Sequence, residues 1–116
     1  MRMINLDTHI LIHALMGNLR TKEHQALSTG PWGISSIVLW ELAKLRQLGR
    51  IEIDLKGAEF RTLMDTIHVF PITLDVARVS TELDFNGDPA DEIIASTSIV
   101  FDVPLVTRDR TIRKSK

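Results

Sequence analysis

The sequence predicts an α/β fold in three layers, with a short, mainly parallel sheet covered by helices on both faces. Two observations carry this reading. Short apolar runs at residues 2–6, around 32–35, at 67–72 and at 104–107 read as strands. Between them, apolar residues recur at helical spacing over 8–16, about 21–28, 36–48, 55–65, 73–83 and 89–101. Parallel neighbours need a crossover long enough to bring the chain back to the same end of the sheet, and a helix supplies it.

Each element has its own justification. The first strand runs into Asp7, and Asp caps a helix well, so a strand-to-helix corner is expected between Leu6 and Thr8. The second strand leads through Ile34-Ser35-Ser36 into the helix over 36–48, which Gly49 stops. Thr73 or Asp75 opens the fifth helix. Asp88-Pro89 opens the sixth, with Asp88 as N-cap and Pro89 at the first helical position. In such a sheet, ligands bind outside the carboxyl ends of the strands. Asp7 directly follows the first strand and Asp109 lies just past the last, so both acids are expected in one crevice.

Composition narrows the chemistry. With 116 residues, 44% hydrophobic and 25% charged, the chain is expected to form one domain over 1–116 with a core of its own. The absence of cysteine excludes disulfides, thiolate zinc sites and cysteine nucleophiles. The start lacks a signal peptide's apolar stretch, since Asp7 interrupts it, and no run reaches the length of a membrane span. A cytoplasmic protein with no membrane contact is expected. A net charge of −1 argues against nonspecific coating of nucleic acid. The basic end, with Arg108, Arg110, Arg113, Lys114 and Lys116, reads either as a solvated terminus or as a rim that contacts phosphate.

Four carboxylates stand against apolar runs: Asp7, Glu41, Asp91 and Asp109. Burying an unpaired carboxylate costs several kcal/mol, and no matching set of core Lys or Arg is evident, so a divalent cation is the natural compensation. On a helical wheel, Ile37, Leu48, Leu45, Val38 and Leu42 span an arc of about 140° that includes Glu41. A solvated face therefore explains Glu41 poorly, although a buried glutamate with a single partner remains an alternative. Asp7 caps a helix whether or not it binds metal. Asp91, three residues after Asp88, can complete a capping box without any chemistry. In Thr107-Arg108-Asp109, two oxygen-bearing side chains sit two residues apart, and the bland reading is a turn aspartate. His9 and His13 have zinc-compatible i, i+4 spacing but lack a third strong ligand. Trp40 falls opposite Leu45 and points toward a second layer or a partner subunit.

The ordered pieces Leu6-Asp7-Thr8-His9-Ile10-Leu11, Leu39-Trp40-Glu41-Leu42, Asp88-Pro89-Ala90-Asp91 and Leu105-Val106-Thr107-Arg108-Asp109-Arg110 together resemble the PIN-domain family, more narrowly the VapC-type toxin ribonucleases of toxin–antitoxin pairs. The resemblance implies a PIN-like α/β/α sandwich, with the acidic quartet on Asp7, Glu41, Asp91 and Asp109. It further implies Mg²⁺ or Mn²⁺, an RNA substrate, a cognate antitoxin and a homodimer. Thr8 and Thr107 match hydroxyl positions near the site, and Arg108 and Arg110 are candidate substrate contacts. Two features depart from the pattern. Glu92 stands where members commonly carry arginine, and the chain stops at Lys116, where members usually continue into one more strand.

The expected reaction is hydrolysis of an RNA phosphodiester by metal-activated water, leaving a 3′-hydroxyl and a 5′-phosphate. Asp7 and Asp91 are expected to hold the principal ion, with Glu41 and Asp109 completing the cluster. Haloacid-type phosphatases and receiver domains fit worse: Asp7-Thr8-His9 lacks their second aspartate, and no late-strand lysine is evident. A catalytically degenerate PIN-like module that binds RNA or protein is the non-enzymatic alternative, motivated by Glu92 and the short end.

Overall fold

A computed structural model describes residues 2–108. In chain order the elements are β1 (Ile4–Leu6), α1 (Thr8–Met16), α2 (Thr21–Leu27), β2 (Trp32–Ser35), α3 (Ser36–Gln47), α4 (Ala58–Thr66), β3 (His68–Phe70), α5 (Leu74–Ser80), α6 (Pro89–Phe101) and β4 (Leu105–Val106). The four strands form one parallel sheet in the order β3-β2-β1-β4. This is the α/β architecture expected, with six helices around a four-stranded sheet among the described residues.

Local chemistry explains the boundaries. Ser35 caps α3 by accepting the Ile37 N–H at 3.3 Å, and Thr73 caps α5 by accepting the Val76 N–H at 3.1 Å. Gly17 and Gly49 end α1 and α3 in the left-handed region, at φ 73° and 71°. Their amides return to the Ala14 and Arg46 carbonyls. Asp88 is the N-cap residue of α6 with Pro89 behind it, but its side chain makes no capping hydrogen bond. There the fixed φ of proline opens the helix instead.

The order of the strands decides where the site lies. From β1 the chain steps to β2 and then β3, and from β3 it crosses back over β1 to place β4 on the far side. The direction of progression therefore reverses between β1 and β4, where a parallel sheet leaves a crevice at its carboxyl edge. β1 is buried at every residue, as a strand flanked on both edges and covered on both faces must be. The Asn5 amide donates to Pro104 O at 2.8 Å, and the Asp7 amide donates to Val106 O at 3.2 Å. These bonds fix β4 against β1 in the register Asn5↔Leu105 and Leu6↔Val106.

Side chains alternate across β1. Ile4 and Leu6 join a core with Ile10, Leu11, Ile34, Val38 and Leu42. Asn5 turns the other way, and its Nδ2 donates to Ile94 O at 3.1 Å and Ser98 Oγ at 2.9 Å on α6. Its Oδ1 is buried without a hydrogen-bond partner among the described residues, which costs about 1–3 kcal/mol. Among the described residues, no helix is long and apolar enough to cross a membrane.

Gly33 pairs with both Asn5 and His68 at the middle of the sheet. A Cβ built there would lie 2.5 Å from Phe70 Cε2 and 3.1 Å from Met3 Sδ. Gly33→Ala is expected to destabilise the fold by about 1–3 kcal/mol through overpacking, read as a lower urea midpoint at unchanged slope.

Candidate active site

Asp7 is the corner of the site. It follows β1 directly and is the N-cap of α1, with φ −75° and ψ 170°. Its Oδ1 accepts the Ile10 N–H at 2.8 Å, and its Oδ2 accepts the hydroxyl of Thr107, the residue after β4. One oxygen is thus held from its own helix and the other from the neighbouring strand. The residue is only 6% exposed, so these donors offset a desolvation cost that an unbonded carboxylate would carry in full. The two expected roles of Asp7, capping and facing the crevice, are compatible because each uses a different oxygen.

Thr8 ties in the second acid. Its hydroxyl donates to Glu41 Oε1, so the residue after Asp7 carries the bond that draws α3 toward the same corner. Glu41 is half-buried, between buried Val38 and Leu42 and partly buried Ile37 and Leu45. Leu48 does not belong to this arc. It is the C-cap of α3 and 58% exposed, because the helix ends before the wheel can carry it inward. Trp40 lies away from the core and is also 58% exposed.

Asp91 stands in the first turn of α6 and is half-buried. Two contacts show how α6 runs past β1: Arg2 meets Asp102, and Asn5 meets Ile94 and Ser98. The helix is therefore antiparallel to the strand. Advancing from Asn5 to Asp7 covers about 6.6 Å of strand, which corresponds to about four residues of helix. Counting back four from the middle of the Ile94–Ser98 pair reaches the turn that holds Asp91 and Glu92. Asp7, Glu41 and Asp91 therefore belong to the same end of the sheet. Asp109 and Arg110 lie outside the described residues. Among the described residues, no three of His, Asp and Glu stand together as a metal-holding group.

The sequence matches the PIN domain family over residues 4–116. The chain belongs to the PIN domain family. A curated relative, Ribonuclease VapC22 of Mycobacterium tuberculosis, is 33% identical over 86 residues. That match takes in 72% of this chain and spans 66% of the relative's length. A toxin–antitoxin complex from Klebsiella pneumoniae contains a chain similar to this one at TM-score 0.66 and 25% identity, over 91% of this chain and 86% of that one. VapBC2 of Rickettsia felis, solved bound to a DNA fragment from its promoter, shares the fold at TM-score 0.72 and 19% identity, over 97% and 92% of the two chains.

The donors described in this PIN domain are carboxylate and hydroxyl oxygens, a hard set that suits Mg²⁺ or Mn²⁺ and offers no soft ligand. Mg²⁺ needs only one or two protein carboxylates and keeps several waters. A cleft of about 410 Å³ opens between α2 and β4, next to the corner. Arg20, Lys22 and Glu23 line one wall, and Val106 and Thr107 the other. Arg20 and Lys22 were not singled out by sequence reasoning. They sit at the start of an ordinary charged helix, Arg20 as its N-cap, and only the packing of α2 beside β4 brings them near the site.

Arg108 has partners other than the phosphate expected for it. Its Nε donates to Glu23 Oε2 at 2.6 Å and its Nη2 to Glu23 Oε1 at 2.7 Å, a two-pronged pair. Nη1 lies 2.9 Å from His13 Nε2, and Nη2 donates to Asn18 O at 3.3 Å. His13 Nδ1 in turn lies 2.6 Å from Asn18 Oδ1. His13 must therefore present Nε2 as acceptor and Nδ1–H as donor. His9 is exposed while His13 belongs to this network, so the i, i+4 pair does not act as one site.

The Arg108 hydrogen bonds hold the Glu23 carboxyl down, from 4.5 to about 2, against an opposing effect of burial. The Glu23 carboxylate raises the Arg108 pKa in return, and the charge of Asp7 adds to this. A depressed carboxyl contributes stability above its unfolded pKa and loses it as pH falls through the folded one. The melting temperature is expected to decline as pH drops from about 4.5 toward about 2. In Glu23→Gln that component of the decline should be absent, as thermal unfolding across this range will report.

Proposed function

We propose that this PIN domain is a metal-dependent endoribonuclease and the toxin of a toxin–antitoxin pair. The observation that carries the reading is the corner at the β1/β4 switch point, where Asp7 is held by Thr107 while Thr8 draws in Glu41. The match to a relative named as a ribonuclease supports the activity, and the likeness to chains of toxin–antitoxin complexes supports the biological setting. Asp7 and Asp91 are the proposed principal ligands of Mg²⁺, or of Mn²⁺, with Glu41 and Asp109 completing the acidic cluster. A divalent ion bound there supplies a Lewis acid for the phosphoryl oxygen and favours the deprotonated form of water.

The chain's own residues have defined tasks in this scheme. Asp7 keeps its carboxylate in one orientation, because the Ile10 amide and the Thr107 hydroxyl fix both oxygens. Thr8 holds Glu41 in place so that it does not swing to solvent. Arg20 and Lys22 supply positive charge along the cleft, opposite in sign to an RNA backbone. Hydrolysis then forms a bond from phosphorus to the oxygen of water and breaks the bond to O3′, which leaves with a proton. The products carry a 3′-hydroxyl and a 5′-phosphate.

This reading includes a cytoplasmic location, a cognate antitoxin that covers the site, and a homodimer. The exposed Leu39 and Trp40 of α3 and Leu74 of α5 are apolar surface compatible with such partners. The proposal is tested with single-stranded RNA and Mg²⁺. Cleavage is expected to stop in EDTA and to fall by about 100-fold or more in Asp7→Asn. Undiminished cleavage in EDTA or in the variant would remove the metal mechanism. The non-enzymatic alternative, a binding module, predicts RNA retention without products under the same conditions.

A further inference from the structure

Asp7 is oriented by Thr107, so whatever holds Thr107 controls the acid at the centre of the site. In the sheet, Thr107 follows a short strand. β4 has two residues, lies at the edge among the described strands, and its last described backbone bond is the one from the Asp7 amide to Val106 O. The residue after Thr107 is anchored through its side chain. Arg108 reaches α1 through His13, the segment after α1 through Asn18, and α2 through both oxygens of Glu23.

Several features mark this as a built clamp. The side chains of Arg108 and Glu23 are only 22% and 11% exposed, so solvent screens the pair less than an ordinary surface bridge. Glu23 Oε1 also accepts the Arg20 amide at 2.8 Å, which fixes the carboxylate to the start of its own helix before the guanidinium arrives. His13 is fixed by Asn18 with its acceptor nitrogen toward Arg108. A lysine in place of Arg108 would supply a point charge without the planar fork that fits Glu23.

We propose that Arg108 is a positioning residue. Its clamp on Glu23 and His13 fixes the end of β4, so that Thr107 presents its hydroxyl to Asp7 and the carboxylate is oriented before metal or substrate arrives. The catalytic part of this inference rests on the nuclease reading above. The structural part is open to measurement without metal or RNA. Arg108 acts here on turnover, through Thr107 and Asp7, and does not act as a phosphate contact.

The test compares Arg108→Gln, Arg108→Lys and Glu23→Gln with wild type and with the exchange Glu23→Arg/Arg108→Glu. In metal-free protein, the ¹³C carboxyl resonance of Asp7 should move in Arg108→Gln, move less in Arg108→Lys, and return toward wild type in the exchange. Mg²⁺ affinity by calorimetry and kcat on RNA should each fall by about 10- to 100-fold in Arg108→Gln, with KM changed less than about twofold. Thermal unfolding checks that each variant is folded. Should Arg108→Gln fail to fold, Glu23→Gln carries the same expectations at smaller size. A folded Arg108→Gln with the wild-type Asp7 resonance overturns the proposal, as does a raised KM at constant kcat, which would make Arg108 a phosphate contact. Wild-type protein that cleaves no RNA in Mg²⁺ would instead defeat the nuclease reading, and the metal-free resonance would still decide the positioning role.

Discussion

The carboxylate of Asp7 is the constraint around which the rest of this PIN domain is arranged. It sits where a fully buried strand turns into a helix, and it must be bonded because it is almost entirely removed from water. The helix amide satisfies one oxygen and Thr107 the other. Satisfying the second oxygen requires β4 to lie beside β1 in one register. That in turn requires the chain to cross from β3 over the sheet to its opposite edge. A capping interaction worth about 1 kcal/mol in an isolated helix thus becomes tied to the topology of the whole sheet.

Glu41 and Asp91 are placed by separate routes, each through a polar contact rather than apolar packing alone. Glu41 is drawn in by Thr8. Asp91 is placed by the way α6 lies on β1, and Asn5 acts as the ruler between them because its amide grips the helix at two points. Hydrophobic packing is nondirectional and would tolerate a helix sliding by part of a turn. A hydrogen bond to Ile94 O and Ser98 Oγ does not. That directionality explains why an asparagine, its Oδ1 unpartnered among the described residues, stands in a strand otherwise made of isoleucine and leucine.

Charge compensation is shared more widely than an all-acid site would suggest. Arg108 lies close enough to Asp7 for the two charges to interact, and its own charge is matched by Glu23. The positive wall of the cleft falls to Arg20 and Lys22, since Glu23, which lies between them and Ala26 along the same lining, is already neutralised by its partner. Neighbours of both signs held in fixed places balance the charge around Asp7.

How much was legible in the sequence follows from the range of each interaction. The strand and helix alternation, the corner at Asp7, the stop at Gly49 and the opening at Asp88-Pro89 were all readable, because periodicity, capping and proline geometry act within a few residues. Glu41 stood out because its neighbours on one helix are apolar, and only Leu48 misled, since a wheel does not show where a helix ends. The ordered acids also carried the family resemblance. What tertiary structure alone decided was which distant groups meet: Thr107 with Asp7 across 100 residues, Arg108 with Glu23 across 85, and Asn5 with Ser98 across 93. A single chain's sequence records no such pairing. The partner of a polar side chain is set by sheet order and helix placement, which the summed burial of many apolar residues determines and no local pattern encodes.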